Sequence, residues 1–201
     1  MILLFDLDQT LLDTEGLKND KRSIFGISAK EDNLHNELLF KKKNINYNPK
    51  IHLQFLRESG RIKNKAEEKI AYSQHQNLIK NIDKYLFPET EKTLARLKKQ
   101  GHRLILITLG NPSLQKSKVN NSRIKKYFEK IIFETKDKSQ NKFIKQLAKH
   151  KKDILIINDK ASEALAIQKT LGEKAKIYLV SGPNSKNIEH KEKIYKDITQ
   201  I

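Results

Sequence analysis

Two aspartates near the start of this 201-residue chain have side chains and a spacing that suit chemistry. Asp6 and Asp8 follow the apolar run Ile2–Phe5, which is too short for a helix and predicts a buried central strand. Side chains at positions i and i+2 of an extended chain point the same way, so both carboxylates would face one pocket. Two carboxylates at such a short distance repel each other, so one of them must bind a cation or hold a proton.

These residues also fit a strand that ends in a plain polar turn, where Asp is common, so the rest of the chain decides between the two interpretations. Apolar runs alternate with amphipathic segments, a pattern that predicts an α/β fold of parallel strands joined by right-handed helical crossovers. After Ile2–Phe5, the predicted strands are His102–Leu109, 131–133, Asp153–Asn158, Lys176–Val180 and an edge strand within Ile194–Ile201, which follows a loop at Ser181–Lys193.

Residues 14–85 lack strand-like alternation and interrupt the α/β pattern. We predict a helical subdomain there and an α/β domain formed by residues 1–13 and 86–201. In the second helix of the insert, Leu34, Leu38 and Leu39 have the spacing of one helical face. The predicted helices of the insert are Gly16–Phe25, Ser28–Lys42, Lys50–Glu58 and Lys63–Tyr85; those of the α/β domain are 87–100, 113–118, a short helix from Ile124, Ser139–His150 and Ala161–Leu171.

The segment Asp6-Leu7-Asp8-Gln9-Thr10 after an apolar strand resembles the first motif of the haloacid dehalogenase-like (HAD) phosphohydrolases. That family carries four short motifs at strand ends, and this chain offers residues for the other three. Thr108 fits the second motif, Lys138 fits the third, and the fourth is matched by Asp159 and Glu163. The resemblance implies a three-layer Rossmann-like parallel sheet.

The segment after the second motif refines this resemblance. The spacing of Gln115 and Lys118, with Tyr127-Phe128 beyond them, resembles the branch whose helical cap is inserted between motifs one and two. The helical insert matches such a cap in position and helical character. The resemblance implies that the insert acts as a lid that excludes water and selects the substrate.

The resemblance also implies roles for the motif residues in an Mg²⁺-dependent phosphatase. Asp6 would be the nucleophile, and Asp8 would protonate the leaving group and later deprotonate water. The phosphoryl oxygens would be held by Thr108, the Leu109 and Gly110 amides, and Lys138, for which Lys136 and Lys142 are alternatives. The implied Mg²⁺ ligands are Asp6, the Asp8 carbonyl, Asp159 and, through water, Glu163.

Three positions depart from the usual motifs of the family. Gln9 stands where Gly is usual, Asn158 stands where Gly or Asp is usual, and Glu163 replaces the more common Asp. None of these departures removes a reacting group, so they bear on rate and substrate rather than on reaction class. Asp8 argues against a dehalogenase, which needs no acid there, and a phosphomutase is less favoured because no second phosphate site stands out.

The net charge of +17 raises the alternative of a nucleic-acid-binding or nucleic-acid-end phosphatase protein. Lys41-Lys42-Lys43 with Tyr47 nearby is its best local feature, although a solvated helix end explains that cluster equally well. The basic residues are 35 Lys and only 6 Arg, whereas phosphate and base recognition favour Arg. We therefore attribute the charge mainly to composition. A catalytically silent HAD-like interaction module is a further alternative, disfavoured by the retained acids.

Composition restricts the remaining possibilities. The chain has no cysteine, which excludes disulfide scaffolds, thiolate metal sites and cysteine nucleophiles. No apolar run approaches the roughly 20 residues of a membrane span, and acids interrupt the start where a signal peptide needs apolar residues. We expect a cytoplasmic protein with no membrane partner. Its substrate would be a small phosphorylated metabolite such as a sugar phosphate, a phosphoglycolate-like acid or a nucleotide; the sequence yields no prediction of oligomeric state.

Overall fold

The computed structural model describes residues 1–149, 153–181 and 194–201 of the chain. The chain divides into two compact units. The α/β unit comprises Met1–Asp13, Leu86–Leu109 and Arg123–Ile201, and the helical unit comprises Thr14–Tyr85 and Gly110–Ser122. The sequence-based boundaries assigned residues 110–122 to the α/β domain, and the structure corrects that assignment. These residues join the helical unit because the helix that they form packs against a helix of the insert.

The described part of the α/β unit contains a six-stranded sheet in the order β3-β2-β1-β4-β5-β6. All five strand pairings are parallel, as the alternating pattern predicted. Strand β1 is central because its four residues are apolar and fully buried, between β2 on one side and β4 on the other. The strands are β1 (Ile2–Phe5), β2 (Arg103–Leu109), β3 (Lys130–Glu134), β4 (Ile154–Asn158), β5 (Ala175–Val180) and β6 (Ile194–Tyr195).

Alternate side chains of β1 lie in different parts of the core, as the two-residue period of a strand requires. Ile2 and Leu4 pack in a cluster that includes residues of helices α7 (Lys142–Leu147) and α8 (Ala161–Leu171). The Phe5 ring instead meets the Phe128 ring edge-on at 5.9 Å between centroids. Burying each such side chain stabilises the fold by about 1.5–3 kcal/mol, so the strand that carries the two aspartates is held firmly.

Two predicted helices of the α/β unit begin elsewhere than expected. Helix α5 (Thr90–Lys99) starts after Glu89, not at Phe87, because Glu89 adopts a left-handed conformation (φ 62°) that no helix continues through. The helix predicted at Ser139–His150 is divided into a 3₁₀ turn at Lys138–Gln140 and α7. Asn141 separates the two, with a non-helical ψ of 134° and a side chain that accepts a hydrogen bond from the Phe143 amide.

Two of the predicted segments extend beyond the residues that the structure describes. His150, the last residue of the predicted helix, lies outside the described ranges, as does the predicted loop after Ser181 up to Lys193. The predicted short helix from Ile124 is a 3₁₀ turn at Arg123–Tyr127 that precedes β3.

The helical unit forms around its own apolar cluster, which contains Phe25, Leu53 and Leu56. One expectation about its packing was wrong. Leu34 and Leu38 are 54% and 40% exposed, and of the three leucines only Leu39 is buried. A π-helical turn at Glu37–Lys41 contains Leu38 and Leu39, so the regular helical spacing that the prediction assumed does not run through this segment. The helices of this unit are α1 (Thr14–Phe25), α2 (Ala29–Asn36), α3 (Pro49–Glu58), α4 (Lys65–Lys80) and α6 (Pro112–Asn120), with a 3₁₀ turn at Ile82–Tyr85.

The starts of the helices in this unit follow from the local sequence. Ser28 and Glu31 form a reciprocal capping box at α2. Helices α3 and α6 both begin with an Asn-Pro pair, in which the Asn side chain caps the first turn and Pro occupies its first position. In the described part of the chain, no helix combines the length and the apolar character that would be needed to cross a membrane.

Candidate active site

Asp6 is the centre of a buried cluster of charges at the carboxyl end of β1. The residue is only 6% exposed, and the Lys138 ammonium lies 2.5 Å from its Oδ1. Lys138 is itself 3% exposed and also bonds to Glu163 Oε2 at 2.9 Å. Of the three lysines that the sequence offered for this position, Lys138 is the one for which the structure shows a contact with Asp6.

The environment of Asp6 opposes its negative charge. Burial raises the pKa of Asp6 to about 7, the charges of Asp8 and Glu163 add to that increase, and Lys138 opposes it. Burial acts to lower the pKa of Lys138, but attraction to Asp6 and Glu163 more than offsets this, so its pKa lies above the usual value. The cluster thus joins a permanently charged ammonium to a carboxylate whose charge needs more compensation than the ammonium provides.

Thr10 connects the segment after β1 to the segment after β4. Its hydroxyl lies 3.5 Å from Asp6 Oδ2, at the outer limit for a hydrogen bond, and accepts a hydrogen bond of 3.1 Å from the Asp159 amide. Asp159 is 3% exposed. From sequence, Thr10 stood out only as a motif residue, because a contact across 149 positions of the chain leaves no local signal.

Thr108 lies at the same edge of the sheet, near the carboxyl end of β2. It is 1% exposed, and within the described residues its hydroxyl has no hydrogen-bond partner. A buried hydroxyl without a partner costs about 1–3 kcal/mol, and such groups at strand ends indicate a place for a ligand oxygen. Thr108 is therefore suited to the phosphate-binding role that the sequence predicts for it.

Leu109 and Gly110 follow Thr108 directly, and Gly110 belongs to the helical unit. The φ of Gly110 is 145°, and an added Cβ would lie 2.9 Å from Nε2 of Gln115 in the same unit. The position therefore requires a residue without a side chain. That the Leu109 and Gly110 amides bind phosphoryl oxygens remains a prediction.

The sequence predicts that Asp6, the Asp8 carbonyl, Asp159 and, through water, Glu163 hold the metal, and this ligand set stays a prediction. Among the described residues, no three side chains of His, Cys, Asp or Glu converge on a common metal position. Glu163 instead bonds through one oxygen to Lys138 and through the other to Lys160, each at 2.9 Å. The physical reason is that the buried ammonium of Lys138 lies between Asp6 and Glu163 and attracts both.

A smaller ligand set nevertheless suits Mg²⁺. Asp6 and Asp159 are buried carboxylates whose residues both contact Thr10. Asp8 is close enough to Asp6 for its charge to raise the pKa of that residue. Mg²⁺ in enzymes is commonly held by one or two carboxylates, with water and substrate phosphate completing its shell. The donors present, two carboxylates with the Asp8 carbonyl, are of this kind.

A cavity of about 310 Å³ opens beside the charged cluster in the α/β unit. It is large enough for a phosphoryl group and a few further atoms. Lysine side chains contribute strongly to its wall, which would favour an anion. The lining residues are Leu109, Lys136, Asp137, Lys138, Lys160, Ser162, Glu163 and Ala166.

Sequence comparisons relate this chain to known hydrolases. The sequence model of the haloacid dehalogenase-like hydrolases matches residues 1–169. A glyceraldehyde 3-phosphate phosphatase from Pyrococcus furiosus is 27% identical over 218 aligned positions, which cover 100% of this chain and 89% of that protein. The relationship therefore extends over both units.

Solved structures show the same fold. A haloacid dehalogenase-like hydrolase from Burkholderia xenovorans LB400 superposes with a TM-score of 0.73 at 17% identity, covering 98% of this chain and 92% of the other. The magnesium-bound HAD-hydrolase YfnB from Bacillus subtilis superposes with a TM-score of 0.66 at 15% identity, covering 99% and 95%. With the family match spanning most of the chain and the charged cluster formed at the strand ends, this chain belongs to the haloacid dehalogenase-like hydrolase family.

Proposed function

We propose that this hydrolase is an Mg²⁺-dependent phosphatase that acts on a small phosphorylated metabolite through an aspartyl-phosphate. One observation carries the proposal: the buried Asp6 carboxylate bonds to a buried lysine at the sheet edge where Thr108 has an unpartnered hydroxyl. A carboxylate can attack a phosphate ester only when the negative charges of both are compensated, and this cluster holds a compensating cation.

In the first half of the proposed reaction, an Asp6 oxygen attacks phosphorus and the bond from phosphorus to the ester oxygen breaks. Asp8, two residues further on, donates its proton to the departing alkoxide. Lys138 stabilises the negative charge that is shared between Asp6 and the phosphoryl oxygens. Thr108 donates its hydroxyl hydrogen to one of those oxygens, which satisfies a group that is otherwise buried without a partner.

In the second half, Asp8 is a carboxylate and removes a proton from the attacking water. The water oxygen bonds to phosphorus, the bond from phosphorus to Asp6 breaks, and inorganic phosphate leaves. Asp6 is then regenerated as a carboxylate, and Asp8 carries the proton that the next cycle requires. Both protons that move are therefore held on one side chain.

Mg²⁺, when bound, would neutralise the phosphoryl oxygens and Asp6. Asp6, Asp159 and the Asp8 carbonyl are the groups that would hold it. The magnesium bound to YfnB, which shares this fold, supports the same choice of metal here. Glu163 would act mainly by fixing Lys138, because both of its oxygens bond to lysines.

The substrate that we propose is small. The relative from Pyrococcus furiosus that aligns over the whole chain is named for a three-carbon phosphate. The excess positive charge is shared almost equally between the two units and is not concentrated on one of them, which favours composition over nucleic-acid binding as its origin. Binding of DNA that weakens steeply between about 50 and 200 mM salt would instead support the nucleic-acid alternative.

The first test is hydrolysis of a generic aryl phosphate with and without Mg²⁺, using the wild type and Asp6→Asn. We expect Mg²⁺-dependent turnover and a loss of at least about 1,000-fold in kcat for Asp6→Asn, because the amide is a poor nucleophile. Asp153→Asn, which alters an exposed acid of the same unit, is the matched control and should retain full activity. Full activity in Asp6→Asn would refute the mechanism.

A further inference from the structure

Two lysines line the cavity beside Lys138 without a role in the proposed reaction. They are Lys136 and Lys160, and like the other lining residues they belong to the α/β unit. The cavity volume of about 310 Å³ is roughly that of ten water molecules in the liquid, which exceeds the volume of one phosphoryl group. Space and positive charge are therefore left at this cavity after a phosphoryl group has been placed at Lys138.

The acids in the wall of this cavity do not cancel its positive charge. Lysines outnumber acids three to two among the lining residues, and both acids already bond within the protein. Asp137 Oδ1 accepts a hydrogen bond of 2.8 Å from the Ser139 amide, and the two oxygens of Glu163 accept from lysines. Because each carboxylate is engaged in this way, the groups that the wall offers to a ligand are mainly ammonium groups.

Lys136 is the least engaged of the three lysines. It is exposed, and its ammonium makes no hydrogen bond or salt bridge with the part of the chain that the structure describes. All three of its hydrogens are therefore available to a ligand. The Lys160 side chain is 47% exposed and contacts Glu163 at 2.9 Å, which leaves two of its hydrogens for other oxygens.

The spacing of the lysines limits the length of a ligand that reaches both of them. Lys138 and Lys160 bond to the two oxygens of one carboxylate, that of Glu163, each at 2.9 Å. Since the oxygens of a carboxylate are about 2.2 Å apart, the two ammonium nitrogens lie within about 8 Å of each other. A phosphoryl group at Lys138 and a second anionic group at Lys160 can therefore belong to one molecule with a chain of about three carbons.

We propose that Lys136 and Lys160 bind a second anionic group of the substrate, so that the enzyme prefers small phosphate esters that also carry a carboxylate or a second phosphate. The proposal rests on the proposed phosphatase function and specifies its substrate class. In this arrangement Lys138 contacts the phosphoryl group that is hydrolysed, and the other two lysines contact the group that stays on the product.

The test compares three phosphate esters with a chain of three carbons: 3-hydroxypropyl phosphate, 2-carboxyethyl phosphate and propane-1,3-diyl bisphosphate. We expect the wild-type kcat/KM to be at least about 10-fold higher for one of the two compounds with an anionic end than for the compound with a hydroxyl end. The preferred compound identifies the second group as a carboxylate or a phosphate. No preference over the hydroxyl end would overturn the proposal.

Variants separate binding of the second group from support of Lys138. Lys136 has no bond to Glu163, so we expect Lys136→Met to lower the preference for the anionic end by about 5-fold, whereas Lys136→Arg should retain it. The double variant Lys136→Met/Lys160→Met should lower it by more than about 10-fold. Lys99→Met, which removes an exposed charge of the same unit outside the cavity, is the matched control and should leave the preference unchanged. Equal losses for all three substrates would overturn the proposal.

A binding measurement reports on the second group without turnover. When Lys136→Met is added to the Asp6→Asn protein, the Kd for the preferred anionic compound should rise about 5-fold more than the Kd for 3-hydroxypropyl phosphate. If the aryl phosphate assay shows that Asp6 is dispensable, the phosphatase mechanism is wrong. If that assay succeeds while the substrate preference and the Kd ignore Lys136 and Lys160, only the site for the second anionic group is wrong.

Discussion

Each unit of this protein buries a lysine against an aspartate, and the two pairs behave oppositely. In the α/β unit the Lys138 ammonium lies 2.5 Å from Asp6, and in the helical unit the Lys21 ammonium lies 2.5 Å from Asp32. Burial acts to raise the pKa of both carboxyls. For Asp6 the result is a pKa of about 7, whereas for Asp32 the neighbouring cations outweigh burial and the pKa is lowered.

The difference lies in the third charged group of each pair. Asp32 has a second cation, since Arg22 Nε donates to its Oδ2 at 3.0 Å. Asp6 has other acids, Asp8 and Glu163, close enough to raise its pKa. A buried carboxylate with two cations is a compensated structural element, whereas a buried carboxylate among acids needs a further cation. The same pair of residue types is therefore compensated in one unit, whereas in the other it is the pair that we propose for chemistry.

The largest stability effect should come from breaking the compensated pair. Asp32→Asn would leave the Lys21 and Arg22 charges buried without their carboxylate and should lower the free energy of unfolding by about 3–5 kcal/mol. Urea unfolding at pH 7 measures this change. Asp20→Asn, which breaks an ion pair with Lys84 on the exposed surface of the same unit, should cost at most about 1 kcal/mol. Equal effects of the two variants would show that the buried pair has no special weight.

The two units should also respond oppositely to acid. Burial lowers the pKa of His52 to about 3 and the pKa of His75 to about 4, so both are neutral in the folded helical unit. In the unfolded chain they take up protons near a pH of about 6.5, so their stabilising contribution is complete above that pH and is lost as the pH falls. Asp6 has the opposite sign: its raised pKa destabilises the fold at pH 7, and this is relieved as the pH falls toward about 4.

From these shifts we expect each of the two histidines to lower the free energy of unfolding by about 2 kcal/mol between pH 7 and pH 5. Urea unfolding at both pH values measures the loss, and His75→Gln should remove about half of it. His102→Gln, in the α/β unit and less buried, should leave most of it. An Asp6→Asn protein should lose more stability in acid than the wild type, since it lacks the opposing contribution. An unchanged acid response in His75→Gln would contradict this account.

Local forces determine the features that could be predicted from sequence. The continuous apolar run Ile2–Phe5 has no favourable place except a central strand, and the structure puts β1 there with the predicted bounds. Lys138 was preferred to Lys136 because its position fits a family motif, and the structure shows that Lys138 contacts Asp6. The fold class followed from the alternation of strands and helices.

Features that distant residues decide were predicted less well. The exposure of Leu34 and Leu38 was not predicted, and the π-helical turn at Glu37–Lys41 interrupts the regular helix that was predicted for Ser28–Lys42. The attachment of residues 110–122 to the helical unit depends on a contact between α6 and α4 that no periodicity reveals. No sequence pattern indicated that Lys138 and Lys160 contact the carboxylate of Glu163, whose predicted link to the metal through water stays a prediction.

The smallest expected effect on the free energy of unfolding concerns Gln9, a residue of the first motif, which can be compared with a residue of the helical unit. Gln9 is buried in a left-handed conformation with φ of 61°, and in the described structure its Nε2 has no hydrogen-bond partner. Gln9→Gly removes both the strain and the unsatisfied amide, although it gives the unfolded chain more freedom, so the net stabilisation should be about 0.5–1 kcal/mol. Urea unfolding of this variant measures the change.

Asn44, at φ of 52° in the helical unit, is the matched control for Gln9. Asparagine tolerates the left-handed region far better than glutamine, so Asn44→Gly should leave stability nearly unchanged. If Gln9→Gly instead destabilises the protein or lowers aryl phosphate turnover, the Gln9 amide contributes a contact at the catalytic segment that outweighs its strain. That result would mark the departure from the usual family glycine as functional, since strain is retained in proteins mainly where it supports a site.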